Sequence, residues 1–184
     1  MHIVLIHGFN VSDGGAGTVD KLAPYLEAAG HTVDKDEADY GKLGFWKVRF
    51  GRFSAVRRIT RALEGADVAI SHSNGGNYAN KALKALHGRG WYREVRISPA
   101  LNRKTAAAEN VARCTVFFTK SDLWVWLAGF LWFHPWGRQG QKGYKGTDPR
   151  MINLDFSDTV KGHSGWFDDD QVEATAKEII EALK

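Results

Sequence analysis

The chain has 184 residues, 43% of them hydrophobic and 25% charged, with a formal net charge of +4. This excludes a disordered, collagen-like or wholly coiled-coil chain and fits one globular domain, 1–184, with a core large enough to need no staples. The lone cysteine, Cys114, excludes an intramolecular disulfide and suits a reducing, cytoplasmic setting, while the mild basicity permits an acidic partner without requiring one.

Ile3-Val4-Leu5-Ile6 is apolar throughout, as in a strand covered on both faces, and the residues from Met1 to His7 do not read as a signal peptide. A glycine-rich loop follows, with Gly8, Gly14, Gly15 and Gly17. It has neither a Gly-Lys-Ser/Thr ending nor a Gly-x-Gly-x-x-Gly fingerprint, so nucleotide binding is not expected. A helix is predicted from Thr18, whose hydroxyl can cap it, with Val19, Leu22, Leu26 and Ala29 on one face and Gly30 as its stop. His31-Thr32-Val33 is a short second strand. Residues 34–53 are irregular: an acidic cluster (Asp34, Asp36, Glu37, Asp39) precedes Phe45, Trp46, Phe50 and Phe53, mixed with Lys47, Arg49 and Arg52. Ser54 can cap a helix with Val56, Ile59, Thr60 and Leu63 on one side and Arg57, Arg58 and Arg61 off it.

Asp67 to Ser71 is a third strand and Tyr78 to Leu86 a helix ending at Gly88. Val95 and Ile97 mark a fourth strand, and a short helix is predicted over 103–110. Cys114 to Phe118 and Ile152 to Phe156 are the fifth and sixth strands. The last helix buries Val172, Ala176, Ile179, Ile180 and Leu183, with Asp168, Asp169 and Asp170 at its positive end. Strands alternating with helices imply an α/β architecture, a mostly parallel six-stranded sheet with helices on both faces. An aromatic-rich insertion occupies 123–150.

Ser71-His72-Ser73-Asn74-Gly75-Gly76 lies between a strand and a helix. A serine at so sharp a turn needs small residues two positions to either side, and Ser71 and Gly75 supply them. The turn lifts the Ser73 hydroxyl to the carboxyl end of the sheet, where open α/β sheets bind ligands. The Asn74 N–H is then free to face a developing oxyanion. With His7-Gly8-Phe9 after the first strand, this pattern resembles the α/β-hydrolase superfamily, in particular its small serine esterases and lipases. The family pattern is Gly-x-Ser-x-Gly, and here Ser71 stands at the first small position. The resemblance extends from Ile3 to the final helix and implies that the superfamily's first two strands are missing.

The resemblance also implies an order of nucleophile, acid and histidine. Asp122 follows the fifth strand, and His163 is the one histidine between the last strand and the last helix. Ser73, Asp122 and His163 are therefore the expected triad of a serine hydrolase that cleaves an ester, thioester or amide through an acyl-enzyme, with esterase the leading choice. Phe9 and Asn74 are the expected oxyanion donors. Asp148, Asp155 and Asp158 are rivals for the acid. His7 is expected to shape its loop, and His72 to pack beside the turn. No cofactor and no metal is expected.

Four of the seven tryptophans fall in 123–136. The segment is apolar all round, so it is no ordinary surface helix. It can pack into the core or a dimer interface, wall an apolar acyl pocket through Trp124, Trp126 and Trp132, or touch a membrane shallowly. Its apolar run is about half of what spans a bilayer. Residues 137–147 are expected to be mobile, with Arg138, Lys142 and Lys145 exposed. Two other readings stay open: a catalytically silent binding module on this fold, and a basic nucleic-acid-associated protein using Lys47 to Arg61, although nucleic acid is not the expected partner.

Overall fold

The computed structural model describes residues 1–9, 11–42, 52–130 and 136–184. Its elements in order are β1 (His2–Ile6), α1 (Ala23–Ala28), β2 (Thr32–Asp34), α2 (Arg52–Ala62), β3 (Val68–His72) and α3 (Gly75–Ala85). After these come β4 (Tyr92–Ile97), β5 (Val111–Phe118), α4 (Leu123–Ala128), α5 (Gln139–Lys142), β6 (Met151–Asp155) and α6 (Val172–Ala182). The strands form one parallel six-stranded sheet in the order β2-β1-β3-β4-β5-β6.

The alternation of side chains along each strand builds two cores. Val4, Ile6 and Ala69 pack with Ile59 and Leu63 near α2 and with Tyr78, Ala82 and Leu83 of α3. Ile3, Leu5, Val68 and Ile70 face the other way, onto Leu22, Leu26, Trp166, Ala176 and Ile179. A strand that is apolar at every position thus serves both layers.

Three local expectations fail. Thr18 caps nothing; its hydroxyl donates to the Gly15 carbonyl, and Val19–Leu22 forms a 3-10 turn before α1, whose first turn holds Pro24. Ser54 lies inside α2, not at its cap. No helix forms over 103–110, because Arg96 takes the carbonyls that a helix there would use. Arg96 and Glu94 share one face of β4 and are both buried. They form a two-pronged pair, Nε to Oε1 at 2.9 Å and Nη2 to Oε2 at 2.8 Å. The guanidinium also donates to the Thr105 carbonyl at 3.1 Å and to Gln139 Oε1 at 3.2 Å. Gln139 Nε2 donates to the same Thr105 carbonyl at 3.1 Å. A buried charge pair therefore binds the exit of β4 to α5.

Breaking such a pair from one side leaves an uncompensated buried charge. Glu94→Gln is expected to cost about 3 kcal/mol of unfolding free energy, read by chemical denaturation, and a variant of wild-type stability would show the pair to be dispensable.

Candidate active site

The turn from β3 into α3 carries a backbone that few side chains adopt. Ser73 has φ of +56°, a conformation that costs a non-glycine residue on the order of 1–3 kcal/mol. Its surroundings hold it there. The Ser73 N–H donates to the Ile97 carbonyl at 3.0 Å, and its own carbonyl accepts from Ala100 N at 3.1 Å. A Cβ on Gly75 would lie 2.3 Å from the His7 carbonyl oxygen, and one on Gly8 would lie 3.0 Å from the Ser73 Cβ. The exit of β1 crosses the turn so closely that glycine is required at Gly75.

The crossing segment His7-Gly8-Phe9 is fixed from the end of the acidic cluster, by Asp39 and the adjoining Tyr40. The Tyr40 hydroxyl reaches the carbonyls of both His7 and Gly8, at 2.8 and 2.7 Å. The His7 ring stacks on Tyr40 at 4.1 Å, and its Nε2 donates to Asp39 Oδ1 at 3.0 Å. His7 thus shapes its loop, as expected. Among the described residues, no group accepts from the backbone N–H of Phe9 or of Asn74.

Asp122 and His163 meet. His163 Nδ1 donates to Asp122 Oδ2 at 2.8 Å, and the carboxylate is fully buried. The second oxygen, Oδ1, accepts from Val125 N at 2.9 Å, so Asp122 is also the N-cap of α4. The rivals are elsewhere: Asp148 pairs with Arg150, Asp155 with Lys120, and Asp158 is exposed. Hydroxyls tie the loop of His163 to that of Asp122. Thr119 Oγ1 donates to the Val160 carbonyl at 2.9 Å, and Ser121 Oγ accepts from Gly162 N at 2.9 Å.

His72, the neighbour of Ser73, bridges to the same loop. Its Nε2 donates to the His163 carbonyl at 3.1 Å, with the two rings 4.7 Å apart. Burial, and then the charge of His163, hold the His72 imidazole well below the ordinary range, so it stays neutral.

The aromatic segment differs from a core helix. In α4 only Val125 is buried, while Leu123 and Trp124 are 65% and 70% exposed, and Phe130, just past the helix, is 61% exposed. Trp126 lies at the border of exposure and meets Phe130 edge-on at 4.9 Å. Trp132 and the predicted continuation of the helix to His134 lie outside the described residues. The turn after it is packed and not free. Gly137 has no room for a Cβ, which would sit 2.6 Å from the Leu101 carbonyl oxygen. Gln139 N and Gly140 N donate to the Leu101 and Pro99 carbonyls at 2.9 and 2.8 Å. Arg138 is half-buried, bound to Gln141, while Lys142 and Lys145 are exposed as expected.

Sequence reasoning missed Trp136. Its indole N–H donates to Asn74 Oδ1 at 2.8 Å and its ring meets Phe9 edge-on at 5.5 Å. It also missed Tyr40, which nothing in the local pattern marks. Arg57, Arg58 and Arg61 line a groove of about 700 Å³ with Glu37 and Phe53. None of the candidate residues lines it, and Lys47 and Arg49 lie outside the described residues. Among the described residues there is no cluster of three or more His, Cys, Asp or Glu able to hold a metal ion, and no helix long and apolar enough to cross a membrane.

No family model and no curated protein matches the chain. Solved structures do. One is described as a hydrolase of the alpha/beta superfamily from Xanthomonas campestris pv. campestris, 20% identical over 99% of this chain and 97% of that one, with a TM-score of 0.54. An extracellular alpha/beta-hydrolase from a Paenibacillus species is 12% identical over 99% and 98%, with a TM-score of 0.60. A monoacylglycerol lipase from Paleococcus ferrophilus is 15% identical over 99% and 93%, with a TM-score of 0.58. The fold is that of the α/β-hydrolases.

The neutral, buried His72 makes stability depend on pH. Its folded pKa is depressed, so its contribution is complete above about 6.5, the ordinary imidazole value, and is lost as pH falls below it. His72→Gln keeps a donor for the His163 carbonyl without titrating. The fall in Tm between pH 7 and pH 5 should be smaller in this variant than in the wild type, and equal falls would assign the loss to other groups.

Proposed function

We propose that the protein is a serine hydrolase that cleaves carboxylic esters through an acyl-enzyme. The observation that supports this most is the buried Asp122 carboxylate holding His163 Nδ1 at 2.8 Å, while His72 joins the His163 backbone to the strained turn of Ser73. With Nδ1–H committed to Asp122, Nε2 is the nitrogen left to act as base.

In this mechanism Ser73 Oγ attacks the substrate carbonyl carbon as His163 Nε2 takes its proton. The carbonyl oxygen becomes an oxyanion facing the N–H groups of Phe9 and Asn74. The imidazolium, held against Asp122, gives its proton to the departing alkoxide, and the acyl group stays on Ser73. Water then attacks that ester, with His163 again taking and returning the proton, and the carboxylic acid leaves. The buried Asp122 stays ionised beside the imidazolium throughout.

The reading of the substrate class rests on α4. Its first residue comes directly after Asp122, and its exposed Leu123, Trp124 and Leu127, with Trp126, offer apolar surface beside the acid. We assign this surface, with Trp132 by its place in the same segment, to the acyl chain of the ester. The same exposed face suits shallow contact with a lipid surface or a second copy. A cytoplasmic setting belongs to the same reading and agrees with the lone, buried Cys114.

On a short p-nitrophenyl ester, Ser73→Ala and His163→Ala should each remove measurable turnover, because triad members act as a unit. Asp122→Asn should lower kcat by about 10⁴-fold with little loss of stability, since the amide oxygen can still cap α4. Full activity in Ser73→Ala would refute the assignment. Across acyl lengths, kcat/KM should rise by up to roughly 0.8 kcal/mol per methylene, and Trp126→Ala should flatten that rise. A profile already flat in the wild type would remove α4 from the acyl site.

A further inference from the structure

We infer that Trp136 is a positioning residue for the oxyanion hole, aligning both of its backbone donors at once. The inference rests on Ser73 being the nucleophile and goes beyond it, because the donors flank Ser73 from two unrelated parts of the chain. Phe9 follows β1 and Asn74 opens α3, and no hydrogen bond joins them. Trp136 touches both: the indole N–H donates to Asn74 Oδ1 at 2.8 Å, and the ring lies edge-on to Phe9 with centroids 5.5 Å apart.

Among the described residues, neither donor has a second side-chain hydrogen bond or ring contact of this kind. Asn74 is 1% exposed, and its Nδ2 is buried without a hydrogen-bond partner. The bond from Trp136 is therefore the one hydrogen bond that orients this amide among the described residues, and without it the amide is free to turn and seek a partner for Nδ2. On the other side, the Tyr40 hydroxyl holds the carbonyls of His7 and Gly8. Beyond Gly8, the Phe9 ring has its aromatic contact with Trp136.

Trp136 can serve as a ruler because its own backbone is keyed to the turn that holds Ser73. Gly137 presses on Leu101 and Asn102 with no space for a Cβ, and Gln139 N donates to the Leu101 carbonyl at 2.9 Å. One residue before Leu101, Ala100 N donates to the Ser73 carbonyl at 3.1 Å. The path runs from Ser73 through Ala100 and Leu101 to Gln139 and Trp136, and returns through Asn74. A closed path of short contacts fixes the donors relative to the nucleophile, and such preorganisation is what makes an oxyanion hole effective.

Trp136→Phe keeps a ring against Phe9 and removes the N–H. It should lower kcat by about 10- to 100-fold with KM changed by less than about twofold. Binding of an alkyl boronic acid, whose adduct on a serine places an oxygen in the oxyanion site, should weaken by a similar factor. Because both ends of one bond are being removed, Asn74→Ala/Trp136→Phe should be no slower than the slower single variant. Wild-type kcat in folded Trp136→Phe overturns the inference, as does a double variant in which the two losses multiply. Should Trp136→Phe not fold, Asn74→Ala carries the test: the same loss of kcat supports the role, and wild-type kcat overturns it. A loss confined to KM also overturns it, since that marks a substrate wall and not a brace. Failure of the wild type to turn over esters or to bind the boronic acid at Ser73 overturns the underlying hydrolase reading and the brace with it, and is told apart by the wild-type measurement alone.

Discussion

The carboxyl end of the sheet is organised around a backbone that turns too sharply to leave room for side chains. Ser73 sits at φ +56°, and the strand it leaves, the strand beside it and the loop crossing over it come so close that a Cβ on Gly75 would meet the His7 carbonyl oxygen at 2.3 Å. Strain of this kind persists only where the surroundings over-determine it. Here Ile97 and Ala100 on one side and the β1 exit on the other do so. The neighbouring positions are then set: His72 faces the loop of His163, and Asn74 faces Trp136.

Buried polar groups extend that constraint outward. Asp122 has no exposure, and its two oxygens divide between His163 and the first turn of α4. A single carboxylate thus orients the candidate base and starts the helix that presents the exposed aromatics. Arg96 and Glu94 act at longer range, through Gln139, on the segment that carries Trp136. Each group is costly to bury alone and is tolerated because its hydrogen bonds are met.

Much of this was legible in the sequence, for identifiable reasons. Strands apolar at every position, such as Ile3 to Ile6, announce a sheet covered on both faces, and glycines such as Gly30 and Gly88 mark helix ends where φ is positive. The small residues around Ser73 reflect backbone crowding, which is a local property. Elements whose form is decided by distant partners were not legible. The stretch 103–110 has helical composition but gives its carbonyls to Arg96, Asn80 and Gln139. Residues 137–143 look like a glycine-rich loop, yet Gly137 and Gly140 are there because Leu101 and Ser98 lie against them, and Gly143 because its φ is +68°. Trp136 was one aromatic among many until its indole N–H was seen to meet Asn74.

The central claim, that Ser73 is an activated nucleophile, has one direct measurement: reaction of the folded protein with a fluorophosphonate, followed by mass spectrometry of the modified peptide. A single stoichiometric adduct on Ser73, absent after His163→Ala, is the expected result. Labelling at another serine, or an unlabelled Ser73 in the folded protein, would contradict it.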